Sequence, residues 1–580
     1  MFADISQSEQ IYRSQGLDEY GLLTSPEILA EQNGFWGCDQ EQGESCMDVD
    51  LFSYGTGFEY DAADSARPIS KSHVYSHLCP DVVWPRNLSH GNELRNDVGK
   101  DNSERIEHEK EGAFLFHSDS FEILKRYGSR CRKLDGQKMN DAEPTMGNDH
   151  PTPPSSTETI IRLAAERFIQ STSQSRDEIS FLSHPYSSSI LCHSVKDSEG
   201  VQLVHNLLSC AEKVGDQKYT SARKLLEECD RLGSSGAGSL VQRLVYYFTE
   251  ALHERIDRET GRVTPKGLGK KFDDPTEALT TSNNSALIAF HNKLPLSQVT
   301  KFAGIQAILD HVAEAGKIHI IDFEIRTGLQ FTILMQALAV RREHPLELLK
   351  VTAVGTRSKK TLDEANRRLT SFADSLNLKF SFNVVMVADI LDLDPTRFEL
   401  EADEKVAVFA AYTLTSMIVQ PDRLEHLMGV IRTVNPRVMV VSEVDGNCNS
   451  PIFVDRFVES LFFYCAYFES MAACLEDDEE NRAFAESDCF GSSIRNIVAC
   501  EGEARKIRHV CSGVWRAFFA SCGLEEMELS MSCLYQANLV LKSFACGNSF
   551  TLDSDEKSLI IGWKGTPLSS LSAWKFCSVL

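Results

Sequence analysis

The sequence predicts an α/β protein in which a mainly parallel sheet carries helices on both faces. Three observations predict it. Between residues 316 and 442, short apolar runs of strand length alternate with amphipathic helical stretches, the order that builds parallel sheets. Upstream, residues 201–312 show helical spacing broken by glycines. The first stretch of about 110 residues shows neither period and is rich in acids, which predicts a largely disordered arm.

Taken in order, the arm comes first. Within residues 1–60 the only basic residue is Arg13, and acids alternate with Tyr20, Phe35, Trp36, Leu51 and Phe52. This reads either as an activation segment or as a solvated tail with chance aromatics. A basic group follows at Lys125, Arg126, Arg130, Arg132 and Lys133. It reads as a nuclear-import signal or as ordinary solvated surface. Pro151, Pro153 and Pro154 mark a linker, and residues 157–169 form a short amphipathic helix.

The folded region is expected from Ser198. Leu203, Leu207, Leu208, Ala211 and Val214 mark the apolar face of one helix. Leu225, Leu226 and Leu232 mark a second, and Leu240, Leu244, Tyr247 and Phe248 a third. A further helix carries Val299, Phe302, Ile305 and Ile308. Short helices separated by breaks suit a bundle better than a long zipper.

Ile318, Ile320 and Ile321 then form a buried strand, Asp322 ends it, and Gly328 occupies the turn into the next helix. Further strands are expected at 349–354, 380–386, 406–411 and 438–442, with a helix near 423–434. Beyond them lie a long helix over 452–475 and strand candidates at 536–541 and 558–563.

Composition narrows the function. Hydrophobic residues make up 42% and charged residues 25%, enough for a sizeable core. A formal net charge of -25 means bulk charge does not hold this chain to nucleic acid. The 17 cysteines include no CxxC pair, so neither a zinc site nor a disulfide framework is indicated. The first residues, with Asp4 and Glu9, lack a secretory leader pattern, and no run approaches the ~20 apolar residues of a membrane span. Reduced thiols in the cytosol or nucleus are therefore expected.

On such a sheet a methyltransferase is the natural enzyme. Its cofactor loop needs several glycines after the first strand, so that backbone can approach the ligand. Here residues 322–328 offer Gly328 alone, with Phe323, Ile325 and Arg326 in the path. An acid at the end of the second strand would hold the ribose, and Gly355, Thr356 and Arg357 stand there instead. No P-loop, GxSxG or HExxH pattern occurs. His319 reads as a packed strand residue. Glu443 and Asp445 read as a polar strand end, or less commonly as paired carboxylates.

From residue 198 onward the chain resembles the GRAS family of plant transcriptional regulators. Residues 203–212 are similar to the family's first leucine-rich region. Ile318-His319-Ile320-Ile321-Asp322 matches its VHIID motif with Ile for Val, and Phe331 stands where Trp is common. The second leucine-rich region falls at 362–393. Arg456, Tyr464 and Phe468, then residues 495–502 with Arg495, Arg508 and His509, resemble the PFYRE region. Trp515, Trp563 and Ser572-Ala573-Trp574 match the closing SAW motif.

This resemblance implies a Rossmann-like, methyltransferase-related core with an α-helical cap, preceded by the largely disordered arm. The domains are then 1–197 for the arm and 198–580 for the GRAS domain, with 198–315 mainly cap and 316–580 core. It implies nuclear transcriptional regulation without catalysis, cofactor or metal. Implied partners are DNA-binding transcription factors and other GRAS proteins, paired as homo- or heterodimers through the cap. Leu203, Leu207, Leu208, Leu240 and Leu244 are the candidate partner interface. The first leucine-rich region looks like the gibberellin-signalling DELLA branch, although the sequence DELLA itself is absent. The motif residues are expected to be structural, since large apolar side chains are usually buried. Two other readings remain: direct DNA binding through Arg341-Arg342, Lys359-Lys360 and Arg367-Arg368, and a methyltransferase or small-ligand sensor.

Overall fold

A computed structural model of the chain describes residues 156–173, 195–236, 238–262, 290, 292–323, 325, 327–356 and 359–577. The acidic arm, the basic group at 125–133, Glu324, Arg326 and Arg357 lie outside the described residues.

Five parallel strands form the centre: β1 (Lys317–Phe323), β2 (Leu348–Gly355), β3 (Phe380–Met386), β4 (Lys405–Ala411) and β5 (Val438–Val444). Their order is β3-β2-β1-β4-β5, the order of a doubly wound nucleotide-binding sheet. Ile320 of β1 pairs with Val351 on one side and Ala407 on the other. The strands β6 (Leu524–Met527), β7 (Phe550–Asp555), β8 (Ser558–Trp563) and β9 (Thr566–Phe576) extend the sheet. β9 runs antiparallel along β5, and its other edge takes β8 and then β6.

The helices are α1 (Thr157–Ser173), α2 (Val195–Gly215), α3 (Tyr219–Leu232), α4 (Leu240–Glu259), α5 (Pro295–Val312), α6 (Leu329–Ala339) and α7 (Lys359–Ser375). They continue with α8 (Pro421–Val434), α9 (Phe453–Cys474), α10 (Glu479–Phe484), α11 (Ser492–Ala499), α12 (Ser512–Ser521) and α13 (Met531–Lys542). One face of the sheet is covered by α13, α5, α6 and α7 packed side by side. Gly304 lets α5 approach closely, because a Cβ there would lie 3.1 Å from the Phe409 ring. The opposite face packs Ile321, Phe323, Val408 and Val441 under Leu427 and Ile431 of α8 and Phe518 and Phe519 of α12.

The cap is assembled from both ends of the chain. Helices α1 to α4 pack together, and α9 and α11 join them from the C-terminal half. Ser239 and Gln242 form a reciprocal capping box at the start of α4.

The structure corrects one expectation and adds two features to the sequence reading. Residues 536–541 are helical, within α13: Cys533, Ala537, Val540 and Leu541 are buried at helical spacing, and the Ser530 hydroxyl caps the first turn. Helix α5, within the segment 198–315 read as mainly cap, lies on the sheet against β4, β5 and β9. Strands β6, β7 and β9 were not foreseen. Among the described residues no helix is long and apolar enough to cross a membrane.

Candidate functional site

Ligands of open α/β sheets bind beyond the carboxyl ends of the strands. Here the turn after β1 is filled by side chains. Gly328 has φ 73°, which an L side chain resists. A Cβ on it would lie 3.1 Å from Leu369 Cδ1 and 3.4 Å from Ile325 Cδ1. Ile325 and Leu369 are both buried. Asp322 accepts a hydrogen bond from the Gln330 side chain at 2.9 Å. The Thr413 hydroxyl donates to the Phe323 carbonyl at 2.7 Å. Gly355 and Thr356 close β2 with no carboxylate. A nucleoside cofactor needs open backbone at the first turn and an acid at the second strand end, so these residues do not fit S-adenosylmethionine.

Beside this turn lies a cavity of about 480 Å³. Phe323, Val354, Tyr412 and Glu443 line it from four strand ends, and Phe463, Tyr464, Tyr467 and Phe490 roof it from the cap. Its polar groups are largely tied to one another. Glu443 accepts from the Leu414 N–H at 2.8 Å and from the Thr415 hydroxyl at 2.5 Å. Burial still pushes its pKa up to about 7, against those hydrogen bonds. Asp445 is pushed up to about 6 by burial and accepts from the Ser512 N–H at 3.2 Å. The two carboxylates thus serve different turns. Burial drives His509 down to about 4, so its ring is neutral, and its Nε2 lies 3.2 Å from the Tyr464 hydroxyl. The Tyr467 hydroxyl donates to the Leu568 carbonyl at 3.2 Å. Tyr412 holds φ 56°, a strained angle for an aromatic residue. Among the described residues no group of three or more His, Cys, Asp or Glu side chains is placed to hold a metal.

Residues 203–575 match the model of the GRAS domain family. The chain belongs to the GRAS domain family. The DELLA protein GAI1 of Vitis vinifera is 30% identical over 383 residues, covering 65% of this chain and 62% of that protein. The chain thus spans less than two thirds of that relative's length. The DELLA protein RGL1 of Arabidopsis thaliana is 32% identical over 384 residues, 66% of this chain and 71% of its own. A crystal structure of SCL7 from Oryza sativa superposes with a TM-score of 0.56 at 27% identity, covering 64% of this chain and 99% of that one. The GRAS family comprises transcriptional regulators.

Within the GRAS domain, the VHIID residues belong to β1. Ile318, Ile320 and Ile321 are buried on both faces of the sheet. His319 is fully buried near the amino end of the strand, away from the cavity. Its Nδ1 lies 3.0 Å from Glu404 and its Nε2 2.8 Å from the Thr352 hydroxyl. Burial pushes its pKa below the usual value, so the ring is neutral at pH 7 and links β1 to β2 and to the start of β4. The SAW residues are buried in β9: Ala573 pairs with Val440 of β5, and the Trp574 Nε1 donates to the Ser572 hydroxyl at 2.8 Å. Trp515 stacks on Phe519 at 5.7 Å. The Trp563 Nε1 donates to Glu469 at 3.0 Å, and the same carboxyl group accepts from the Glu158 N–H at the start of α1. Arg495 bonds Glu254, tying α11 to α4.

The candidate interface leucines are corrected. Leu203, Leu207, Leu208 and Leu244 are buried inside the cap, and Leu240 is half-buried. Their faces are covered by other helices of this chain. The basic pairs are dispersed. Arg341 donates to the Ala315 carbonyl at 2.6 Å and staples a loop. Burial lowers the pKa of Arg368. Lys359, Lys360 and Arg367 are exposed on α7.

Sequence reading missed the buried ion pair of Arg243 and Glu486, with contacts of 2.9 and 3.1 Å. It joins α4 to the π-helical turn Ala485–Gly491. An arginine within an apolar helical face was the available signal.

Proposed function

We propose that this protein is a nuclear transcriptional coregulator that works as a protein-interaction scaffold and not as an enzyme. The observation that carries the reading is the packed turn after β1, where Ile325 and Leu369 stand against Gly328. A fold suited to a nucleoside cofactor has there been converted into core. DNA-binding transcription factors and other GRAS proteins are the partners, in homo- or heterodimers. Since the cap leucines are buried, docking falls to the outer faces of the cap helices. The DELLA relatives support a place in developmental or gibberellin-type hormone signalling.

Calorimetry of the full chain with S-adenosylmethionine tests the non-enzymatic part. No saturable heat is expected. Saturable binding that Asp322→Ala abolishes would overturn it. A second reading, direct DNA binding, rests on exposed Lys359, Lys360 and Arg367 on α7. Such binding would weaken steeply with salt.

A further inference from the structure

Two half-buried cysteines meet where the cap joins the edge of the sheet. Cys474 is the last residue of α9, and Cys546 lies in the turn between α13 and β7. They are 72 positions apart in the chain, yet their Sγ atoms are 2.8 Å apart. That is about 0.8 Å more than a covalent S–S bond of ~2.05 Å. Both are free thiols in this structure.

The backbone on each side is fixed. The Leu475 N–H donates to the Met471 carbonyl at 2.8 Å and closes α9 behind Cys474. After Cys546 comes Gly547, where a Cβ would fall 1.9 Å from the Leu541 carbonyl oxygen. Only glycine fits, and the turn is held by the Gly547 N–H to Phe544 at 3.0 Å and the Ser549 N–H to Cys546 at 3.0 Å. The sulfurs therefore meet between two anchored elements. Both residues are partly open to solvent, unlike buried Cys210, Cys448 or Cys465.

We propose that Cys474 and Cys546 form a thiol-oxidation site that closes reversibly to a disulfide, with a hydroperoxide as the oxidant. Cys546 is the attacking sulfur. Either sulfur can donate to the other across the 2.8 Å contact, and this pairing lowers the pKa of Cys546 and raises that of Cys474. The Cys546 thiolate attacks one peroxide oxygen. An S–O bond forms, the O–O bond breaks, and the departing hydroxide takes a proton to become water. Cys474 then attacks the sulfenic sulfur of Cys546. The S–S bond forms, the S–O bond breaks, and a second water leaves with the Cys474 proton. Two thiols and one H₂O₂ give one disulfide and two waters, with the sulfurs oxidised by two electrons and the peroxide reduced. The bond would tether the end of the cap's long helix to the turn leading into the edge strand β7, closing a long loop. In a reducing compartment it stays open until oxidant rises.

The test uses the purified full chain, reduced and then treated with a few equivalents of H₂O₂. Non-reducing peptide mapping should give a cross-linked peptide containing Cys474 and Cys546, about 2 Da lighter than the sum of its parts. The thermal midpoint should rise on oxidation and return on adding dithiothreitol. In Cys474→Ser the Cys546 sulfenic acid has no resolving thiol, and dimedone should trap it. Both serine variants should melt like the reduced wild type and fail to shift with peroxide. Oxidation elsewhere with no 474–546 cross-link would overturn the proposal.

Discussion

Replacing Trp574 by Ala probes how the last strand holds the domain together. Trp574 is 2% exposed, and its ring centroid lies 4.7 Å from that of Phe519 on α12. The residue opposes Met439 of β5 and Glu526 of β6 across the sheet. A tryptophan buries about 150–250 Å². At ~25 cal/mol per Å² that amounts to about 4–6 kcal/mol. Measured truncations of buried aromatics fall at about 3–5 kcal/mol, because the site collapses in part. We therefore expect Trp574→Ala to lose about 3–5 kcal/mol, a large share of a typical ~5–15 kcal/mol. Trp574→Phe keeps a ring against Phe519 and should lose only about 1–2 kcal/mol. Urea unfolding followed by far-UV circular dichroism gives both values from the midpoint and slope. If both variants unfold within about 0.5 kcal/mol of wild type, the ring is not packed as described.

Three further outcomes follow from the same structure. Glu486→Ala should cost about 3–5 kcal/mol, since it leaves Arg243, whose side chain is 10% exposed, without its carboxylate partner in the cap. A loss below 1 kcal/mol in urea unfolding would show the pair to be solvated. Glu443 has a pKa raised from 4.5 to about 7, so between those pH values the folded state holds a proton that the unfolded chain has released. Its contribution to stability is present below pH 4.5, falls as pH rises through that window, and levels off above it. The decline is on the order of 3 kcal/mol. Glu443→Gln should remove it, and an unchanged pH profile would contradict the assignment. Gly328→Ala should lose about 1–3 kcal/mol through its positive φ and the contact with Leu369. An alanine variant that melts at the wild-type temperature would mean the turn has room.

The central strands were legible in the sequence because parallel strands buried on both faces leave continuous apolar runs. β9 escaped because Ser569, Ser570 and Ser572 interrupt its run. They are buried all the same, and the Ser569 hydroxyl donates to the Glu443 carbonyl at 2.9 Å. Residues 536–541 misled in the opposite way: a short apolar run has no period of its own, and only Cys533 upstream reveals the helical spacing. The leucine faces of the cap were visible, but not what covers them. α9 and α11 arrive from more than 200 residues downstream. The cavity was equally hidden, since four strand ends and a distant helix build it. The filled turn after β1 was readable, because bulky residues in place of glycine are a local signal.

We propose that this protein reaches DNA through partners. Fluorescence anisotropy of the full chain with a pool of labelled duplexes, at physiological salt and with random-sequence competitor, tests it most directly. The expected result is no sequence-selective binding by the protein alone. Selective binding that survives the competitor and falls steeply with added salt would contradict the claim and identify a DNA-binding factor acting by itself.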